Sequence, residues 1–198
     1  MARKAAVVFD FDNTIANTFH IVFSHTRRFL QERGYPTINE ADVRAQGMRE
    51  TIQELRIPFW KLPYYVWRIK KEMKEDMKSA HVYAGLLPVL KKLQKKYSIG
   101  IVTSNRADVA SHVLGMSVAF VRESSLFGKH KILKKLSRTY SFVYVGDEVR
   151  DVEACKKAGV PCIAVTWGYN TKEALEQAKP AVLVDTPKDI LEAVRATL

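Results

Sequence analysis

Two aspartates and a threonine follow a short apolar run near the start of the chain. The run Val7–Phe9 consists of β-branched and aromatic residues, which predicts a buried strand that stops at Asp10. Because side chains alternate along an extended chain, Asp10 and Asp12 point to the same side. Two carboxylates held that close repel each other unless a shared proton or a cation relieves them, and Mg2+ prefers oxygen ligands of this kind. An ordinary polar turn, with Asn13 in the left-handed region and Thr14 after it, is the alternative for these residues taken alone.

A second apolar run, Ile99–Thr103, is followed by Ser104 and Asn105 immediately before a predicted helix. Free backbone N–H groups at such a position favour an anion. A helix N-cap is the alternative role for Ser104 or Asn105, and the two roles are compatible. Lys129 and Lys131 follow a glycine at the start of another predicted helix, where either is a candidate anion ligand or an ordinary surface charge.

A third run, Phe142–Val145, leads directly into Gly146 and Asp147 at a strand-to-helix turn. Asp151 follows four residues after Asp147, so it lies one helical turn later and near the same face. The three runs deliver carboxylates and hydroxyls, and the segment after Gly128 adds a lysine. This combination suits a cation together with an anion.

The elements that position these groups alternate between strand and helix. After the first strand, the predicted strands are Ile99–Thr103, Ser117–Val121, Phe142–Val145, Cys162–Val165 and Ala181–Val184. The predicted helices are Leu86–Lys96, a helix from Asp108, Lys131–Ser137, Val149–Ala158 and Lys188–Ala196. This alternation predicts an α/β fold with a parallel sheet covered by helices on both faces. Ligands bind outside the carboxyl ends of such strands, where the polar motifs stand.

Residues 15–82 interrupt the alternation with helical signals alone, beginning with a helix over Thr18–Arg33. This pattern predicts a small all-helical domain, residues 15–82, inserted into a core formed by residues 1–14 and 83–198. The insertion carries an aromatic cluster, for which core packing is the preferred interpretation over a binding platform. Its members are Trp60, Tyr64, Tyr65 and Trp67.

The composition favours a folded, cytoplasmic protein. The chain has 198 residues, 47% of them hydrophobic, which is enough for one full core and a small extra lobe. No apolar stretch reaches membrane-spanning length, and the first residues lead into a strand, so neither a membrane partner nor a signal peptide is expected. Cys155 and Cys162 stand outside any paired-cysteine motif and are expected to be small buried apolar residues.

The formal charge of +11 raises nucleic-acid binding as a rival function. The lysines are spread over several predicted helices, however, and no stripe of interleaved arginine and aromatic residues accompanies them. Solvated helix faces are the preferred interpretation. The lysine sets are 70/71/74/78, 91/92/95/96, 129/131/134/135 and 156/157. The sequence leaves the oligomeric state open.

In this order, the motifs resemble those of the haloacid dehalogenase-like (HAD) hydrolase superfamily, most of whose members are magnesium-dependent phosphatases. The matching motifs are Asp-x-Asp-x-Thr (Asp10–Thr14), a strand ending in a hydroxyl residue (Thr103), a lysine, and Gly-Asp-x-x-x-Asp (Gly146–Asp151). The resemblance implies a three-layer Rossmann-like core and makes the insertion 15–82 a cap domain. Its lysine spacing favours Lys129, with Lys131 as the alternative.

The resemblance also implies residue roles. Asp10 is the nucleophile and Asp12 the general acid and base. Mg2+ is held by Asp10, the backbone carbonyl of Asp12 and Asp147, while Asp151 is an additional acid that orients a metal-bound water or the lysine. Thr103, Ser104 and Lys129 bind the phosphate, and Thr14 supports the first motif.

The segment Val165–Tyr169, with Val184–Pro187 beyond it, is most similar to the phosphoglycolate-phosphatase-like branch of the superfamily. This branch implies a phosphatase that acts on a small phosphorylated metabolite, with 2-phosphoglycolate as the candidate. The alternative is a phosphomutase or phosphotransferase with the same covalent intermediate. Asn13 and Asn17 depart from the branch pattern, where Gly and Asp are usual. For His20, Arg44 and Arg49, solvated or locally paired side chains are preferred over contact with a substrate carboxylate.

Overall fold

The computed structural model describes residues 3–125 and 128–198, with every side chain in those ranges except those of Met48 and Arg49. The strands are β1 (Lys4–Phe9), β2 (Ala16–Asn17), β3 (His81–Val82), β4 (Ser98–Thr103), β5 (Phe120–Glu123), β6 (Tyr140–Gly146), β7 (Cys162–Val165) and β8 (Val182–Val184). The helices are α1 (Phe19–Gln31), α2 (Glu40–Gln46), α3 (Met48–Glu54), α4 (Leu62–Glu72), α5 (Lys74–Met77), α6 (Leu86–Gln94), α7 (Ala107–Leu114), α8 (Lys129–Leu136), α9 (Val149–Ala158), α10 (Lys172–Ala178) and α11 (Ile190–Thr197). Short 3-10 turns cover Phe59–Lys61 and Pro187–Asp189.

Six strands form a parallel sheet in the order β5-β4-β1-β6-β7-β8. β1 lies in the middle, and Phe9 at its end is level with Ile101 of β4 and Val145 of β6. Because the three strands run in the same direction, their carboxyl ends meet at one edge of the sheet. The α/β fold with a parallel sheet is therefore confirmed, and the register brings the polar motifs together.

The sheet is buried on both faces. Val7 and Phe9 of β1 pack into one hydrophobic cluster, and Ala6 and Val8 pack into a second cluster on the opposite face. This alternation explains why the strand reads as a continuous apolar run. Cys155 and Cys162 are buried in the second cluster, as the sequence predicts.

The helical insert after β1 comprises α1 to α5 and has its own core around Phe19, Phe29 and Tyr65. Its two ends are joined by the antiparallel pair β2 and β3. The sequence does not predict this pair, because two residues are too short to show a strand pattern. The ribbon brings the chain into and out of the insert side by side.

The predicted core role of the aromatic cluster in the insert is wrong for three of its four members. Trp60, Tyr64 and Trp67 are exposed at 67%, 53% and 54%, whereas Tyr65 is buried. Spacings of four and three residues place the exposed rings on one face of the α4 region. Tyr65 and Ile69, four residues apart, face the core of the insert instead.

Other differences concern element boundaries and one helix. β5 starts at Phe120 rather than at Ser117, and α8 starts at Lys129 rather than at Lys131. The sequence pattern did not predict α10, whose N-cap Thr171 accepts a hydrogen bond from the Ala174 N–H. Across the described ranges, no helix combines the length and the apolar character needed to cross a bilayer.

Candidate active site

Three buried carboxylates meet at the carboxyl edge of the sheet. Asp10 follows β1, Asp147 follows β6, and Asp151 lies in the first turn of α9. One carboxylate oxygen from each residue lies within 4.8 Å of the others. All three were predicted from the sequence as site residues, and the neighbouring positions of β1 and β6 in the sheet explain why they converge.

Lys129, the first residue of α8, brings a positive charge into this acidic cluster. Its Nζ lies 2.8 Å from Oδ2 of Asp10 and 2.5 Å from Oδ1 of Asp151, and its side chain is 8% exposed. Lys131 is exposed to solvent. Of the two candidate lysines, Lys129 is thus the one that reaches the carboxylates, and it does not belong to a solvated helix face.

The Asp147 carboxylate is held on both sides. Its Oδ1 accepts a hydrogen bond of 2.5 Å from the Thr14 hydroxyl, and its Oδ2 accepts one of 2.8 Å from the Tyr169 backbone N–H. A Cβ added to Gly168 would lie 2.2 Å from the Asp147 Cβ, so only glycine fits this close approach. From the sequence, the segment around Gly168 and Tyr169 was only a branch signature, and its contact with Asp147 was not predicted.

Asp12 lies two residues beyond Asp10 and is half-buried. Its Oδ1 accepts hydrogen bonds from the Thr18 hydroxyl (3.1 Å) and the Asn105 side-chain amide (3.2 Å). Its Oδ2 accepts one from the Thr103 hydroxyl (3.3 Å). These three donors orient the Asp12 carboxylate. Asn105 was expected from the sequence only beside an anion or as a helix N-cap, and Thr18 was given no site role.

The turn that follows Asp12 has the left-handed residue expected at Asn13. Asn13 has a φ of 56°, in the left-handed region that asparagine tolerates. Its side-chain oxygen accepts a hydrogen bond from the Thr18 N–H. The departure from glycine at this position is therefore accommodated by the local backbone.

Thr103 and Ser104 lie beside Asp12 at the end of β4, and the hydroxyl of Thr103 accepts a hydrogen bond of 2.9 Å from the Asn105 N–H. The Ser104 carbonyl accepts one from Lys70 of α4, in the insert. Assigning Lys70 to a solvated helix face is therefore wrong, since it is half-buried where the insert meets the core. Burial lowers the pKa of Lys70, with the Asp12 charge acting in the opposite direction.

Burial dominates the electrostatics of the acidic cluster. It raises the pKa of Asp10 to about 7 even though Lys129 opposes the rise, and it raises the pKa of Asp147 well above its usual range. Burial disfavours the charged form of Lys129, but Asp10 and Asp151 outweigh it and raise its pKa. Three ionised carboxylates facing one lysine would carry surplus negative charge, and like-charge repulsion adds to burial in raising the pKa values of Asp10 and Asp147. Oxygen donors with such a surplus fit a hard divalent cation such as Mg2+.

Two of the three other polar residues considered from the sequence have local roles. Arg44 donates a hydrogen bond of 2.8 Å to the Gly168 carbonyl and pairs with Glu40 at 3.0 Å. His20 is exposed, 3.9 Å from Glu40. The Arg49 side chain lies outside the described part of the structure. Arg44 thereby ties the insert to the core segment that contacts Asp147.

Two family models match the chain. The model described as haloacid dehalogenase-like hydrolase covers residues 7–118, and the one described as HAD-hydrolase-like covers residues 129–193. Together they include the motifs that contain Asp10, Thr103, Lys129 and Asp147.

Similar proteins match over nearly their whole length. The chain is 28% identical to the phosphoglycolate phosphatase of Synechococcus elongatus over 204 residues, which covers 96% of each protein. It is 25% identical to the phosphoglycolate phosphatase of Xanthomonas campestris over 217 residues, covering 97% of each. Among solved structures, a haloacid dehalogenase-like family protein from Streptococcus pneumoniae matches with a TM-score of 0.78 at 17% identity, covering 98% of this chain and 99% of that one. A hydrolase from Pseudomonas syringae matches with a TM-score of 0.79 at 16% identity, with the same coverage. These two structures share the fold.

Proposed function

The chain belongs to the haloacid dehalogenase-like hydrolase family, and we propose that it is a magnesium-dependent phosphatase acting on a small phosphorylated metabolite. The observation that carries this proposal is the contact of Lys129 with both Asp10 and Asp151, in a cluster that also includes Asp147. The Asp10 carboxylate, as a nucleophile beside the buried Lys129 ammonium group and two further carboxylates, suits the transfer of a charged phosphoryl group.

The donor set of the cluster fits Mg2+. Asp10, Asp147 and the backbone carbonyl of Asp12 would hold the ion, and Asp151 would orient Lys129 or a metal-bound water. When bound, the ion neutralises charge on the transferring phosphoryl group. Thr14 and the Tyr169 N–H orient Asp147 for this task.

The chain's own residues then divide the reaction into two steps. A carboxylate oxygen of Asp10 attacks phosphorus and forms an aspartyl-phosphate, while Asp12 protonates the leaving alcohol oxygen. In the second step Asp12 takes a proton from water, which attacks phosphorus and releases phosphate and free Asp10. Lys129, the Thr103 hydroxyl and the Ser104 N–H bind the phosphoryl oxygens through both steps.

The insert supplies a cover for this site. We assign residues 15–82 as a cap over a core of residues 1–14 and 83–198. The cross-contacts of Lys70 with the Ser104 carbonyl and of Arg44 with the Gly168 carbonyl support this assignment. A closed cap excludes bulk water from the phosphoryl group until the alcohol has left.

Phosphate release is the direct test. Wild type and Asp10→Asn should be assayed with p-nitrophenyl phosphate and a metabolite panel, in Mg2+ and in EDTA. The panel should begin with 2-phosphoglycolate, because the two full-length relatives are named for it. Asp42→Asn, at an exposed position of α2, is the matched control.

We expect metal-dependent turnover in wild type and Asp42→Asn and at least about a thousandfold loss in Asp10→Asn, since the nucleophile is removed. Turnover that persists in Asp10→Asn would contradict the covalent mechanism. Product formed only with an added sugar or nucleoside acceptor would indicate phosphotransfer. Lack of turnover combined with a salt-sensitive shift with DNA or RNA would favour the nucleic-acid-binding alternative.

A further inference from the structure

A cavity of about 170 Å3 lies between the insert and the core, and Asp12 lines it. Its core end is formed by Asp12, Ser104 and Asn105. The walls that the insert contributes are largely aliphatic and come from α1, α4 and the segments between them. They include Val22, Leu30, Ile57, Leu62, Val66 and Ile69.

This cavity lies where the leaving alcohol of the proposed reaction would sit. A general acid must be within hydrogen-bond reach of the oxygen that it protonates. Asp12 is among the residues that line the aliphatic cavity, whereas Lys129 lines a different cavity of about 200 Å3. The alcohol part of a substrate, next to Asp12, therefore extends into the aliphatic space under the insert.

The charges around the cavity disfavour an anionic alcohol part. Among the described side chains that line it, the cations are Lys70 and Arg150. Lys70 donates to the Ser104 carbonyl, and Arg150 pairs with Glu148 at 2.5 Å. Asp12 and Glu148 line the same space with negative charge. The two cations and the two carboxylates balance, so a further carboxylate placed there meets no surplus positive charge and carries a large desolvation cost.

Tyr169 adds a neutral donor to the wall. Its hydroxyl is buried and finds no hydrogen-bond partner within the described part of the chain. A neutral phenol orients a ligand atom without supplying the positive charge that a buried carboxylate needs.

The cavity volume sets the size of the ligand. An apolar cavity of about 150 Å3 accommodates a benzene-sized guest. We infer that the preferred substrates are phosphate monoesters of apolar alcohols with roughly five to eight carbons. This class differs from phosphoglycolate, the carboxylate-bearing ester in the names of the two full-length relatives. This inference rests on the phosphatase function proposed above.

Unactivated alkyl esters test this inference, since their leaving alcohols differ in binding rather than in lability. Rates of phosphate release should be compared for isopentyl phosphate, ethyl phosphate and 2-phosphoglycolate. We expect kcat/KM for isopentyl phosphate to exceed that for each of the other two by roughly tenfold to a hundredfold, because each buried methylene contributes about fourfold.

Substitutions at Val66 test the role of the cavity, because this residue is half-buried and lines the cavity from α4. Val66→Phe should fill the space and lower kcat/KM for isopentyl phosphate at least about tenfold while ethyl phosphate is affected less. Val66→Lys should supply a cation and shift the preference toward 2-phosphoglycolate. Lys71→Ala, at an exposed position of the same helix, is the control and should leave the ester preference unchanged.

The outcomes separate the two proposals. Hydrolysis of p-nitrophenyl phosphate with a preference for 2-phosphoglycolate over isopentyl phosphate would overturn this inference and leave the phosphatase function standing. Lack of phosphate release from every ester would overturn both. A preference for isopentyl phosphate that Val66→Phe abolishes would support both. If either Val66 variant failed to fold, the wild-type ester ranking would still decide.

Discussion

The Nζ atom of Lys129 lies 2.8 Å from Oδ2 of Asp10, although 119 positions separate the two residues in the chain. The same Nζ lies 2.5 Å from Asp151, so one ammonium group joins the end of β1 to the start of α9. Both carboxylates and the lysine are buried. Removing the ammonium group leaves buried acids without their partner, which links the proposed catalytic site to the stability of the fold.

Lys129→Met should therefore lower both activity and stability. We expect a loss of at least about a hundredfold in kcat/KM and of about 3–5 kcal/mol in the free energy of unfolding. Initial rates and urea denaturation in EDTA measure the two effects. Lys131→Met, two residues away at an exposed position, should change kcat/KM by less than about twofold. Equal losses in the two variants would reject Lys129 as the phosphate-binding lysine.

Asp12→Asn should separate the two chemical steps. The loss of the general acid should lower kcat for alkyl phosphates by about 10²–10⁴-fold. Loss of p-nitrophenolate from p-nitrophenyl phosphate needs no proton, so that first step should be affected less. Hydrolysis of the aspartyl-phosphate then limits turnover. Stopped-flow measurements should show a burst of p-nitrophenolate close to one equivalent of enzyme.

Asp108→Asn, at an exposed position of α7, is the control for this substitution and should show steady turnover at the wild-type rate. An equal loss of kcat for alkyl and nitrophenyl esters in Asp12→Asn, without a burst, would argue against Asp12 as the acid and base.

Gly168→Ala should weaken magnesium binding. The new Cβ would lie 2.2 Å from the Asp147 Cβ, so the carboxylate must shift away from Thr14 and the Tyr169 N–H. Displacing such an orienting contact costs about 10–100-fold in metal affinity. The Mg2+ concentration that gives half-maximal activity measures the effect.

Gly115→Ala is the matched control, because Gly115 has a φ of 62° and a Cβ added to it would meet no atom within 4 Å. It should lower the free energy of unfolding by about 1 kcal/mol through backbone strain and leave the Mg2+ requirement unchanged. A Gly168→Ala enzyme with the wild-type Mg2+ requirement would show that Asp147 does not depend on this close contact.

The stabilisation by Mg2+ should grow with pH. Burial raises the pKa of Asp10 from 3.8 in the unfolded chain to about 7 in the metal-free fold. Between these values the unfolded state holds fewer protons than the folded state, so the metal-free protein loses stability as pH rises. Mg2+ binds ionised carboxylates and competes with protons, so its effect is larger above about pH 7 than at about pH 5.5.

Thermal unfolding in Mg2+ and in EDTA at several pH values measures this difference. At Mg2+ near one hundred times its Kd, Tm should rise by about 5–10 °C above neutral pH and by less at about pH 5.5. Asp10→Asn removes one of the titrating groups and should reduce the pH dependence of the metal-free Tm. A shift that does not vary with pH would contradict proton-linked binding at this cluster.

Much of the site could be predicted from the sequence, because parallel strands place their carboxyl ends at one edge of the sheet. Three apolar runs that end in Asp10, Thr103 and Asp147 were sufficient to predict that these residues converge. The left-handed Asn13 and the buried cysteines also followed from residue type and local pattern. Local preferences and the alternation of strands with helices, both visible in the sequence, carry this part of the structure.

Tertiary structure decided which neighbours complete the site. Positions two residues apart in a helix are separated by about 200°, so Lys129 and Lys131 face nearly opposite ways. The way in which α8 packs against the core determines that Lys129 faces the carboxylates. Lys70, Gly168 and the Tyr169 N–H reach the site from segments distant in sequence, and their contacts depend on how the insert and the loop after β7 pack against the core. The exposure of Trp60 and Trp67 and the aliphatic cavity beside Asp12 also arise from that packing. Periodicity identifies an apolar face, but only the packed neighbours determine whether that face is covered, exposed or left open as a cavity.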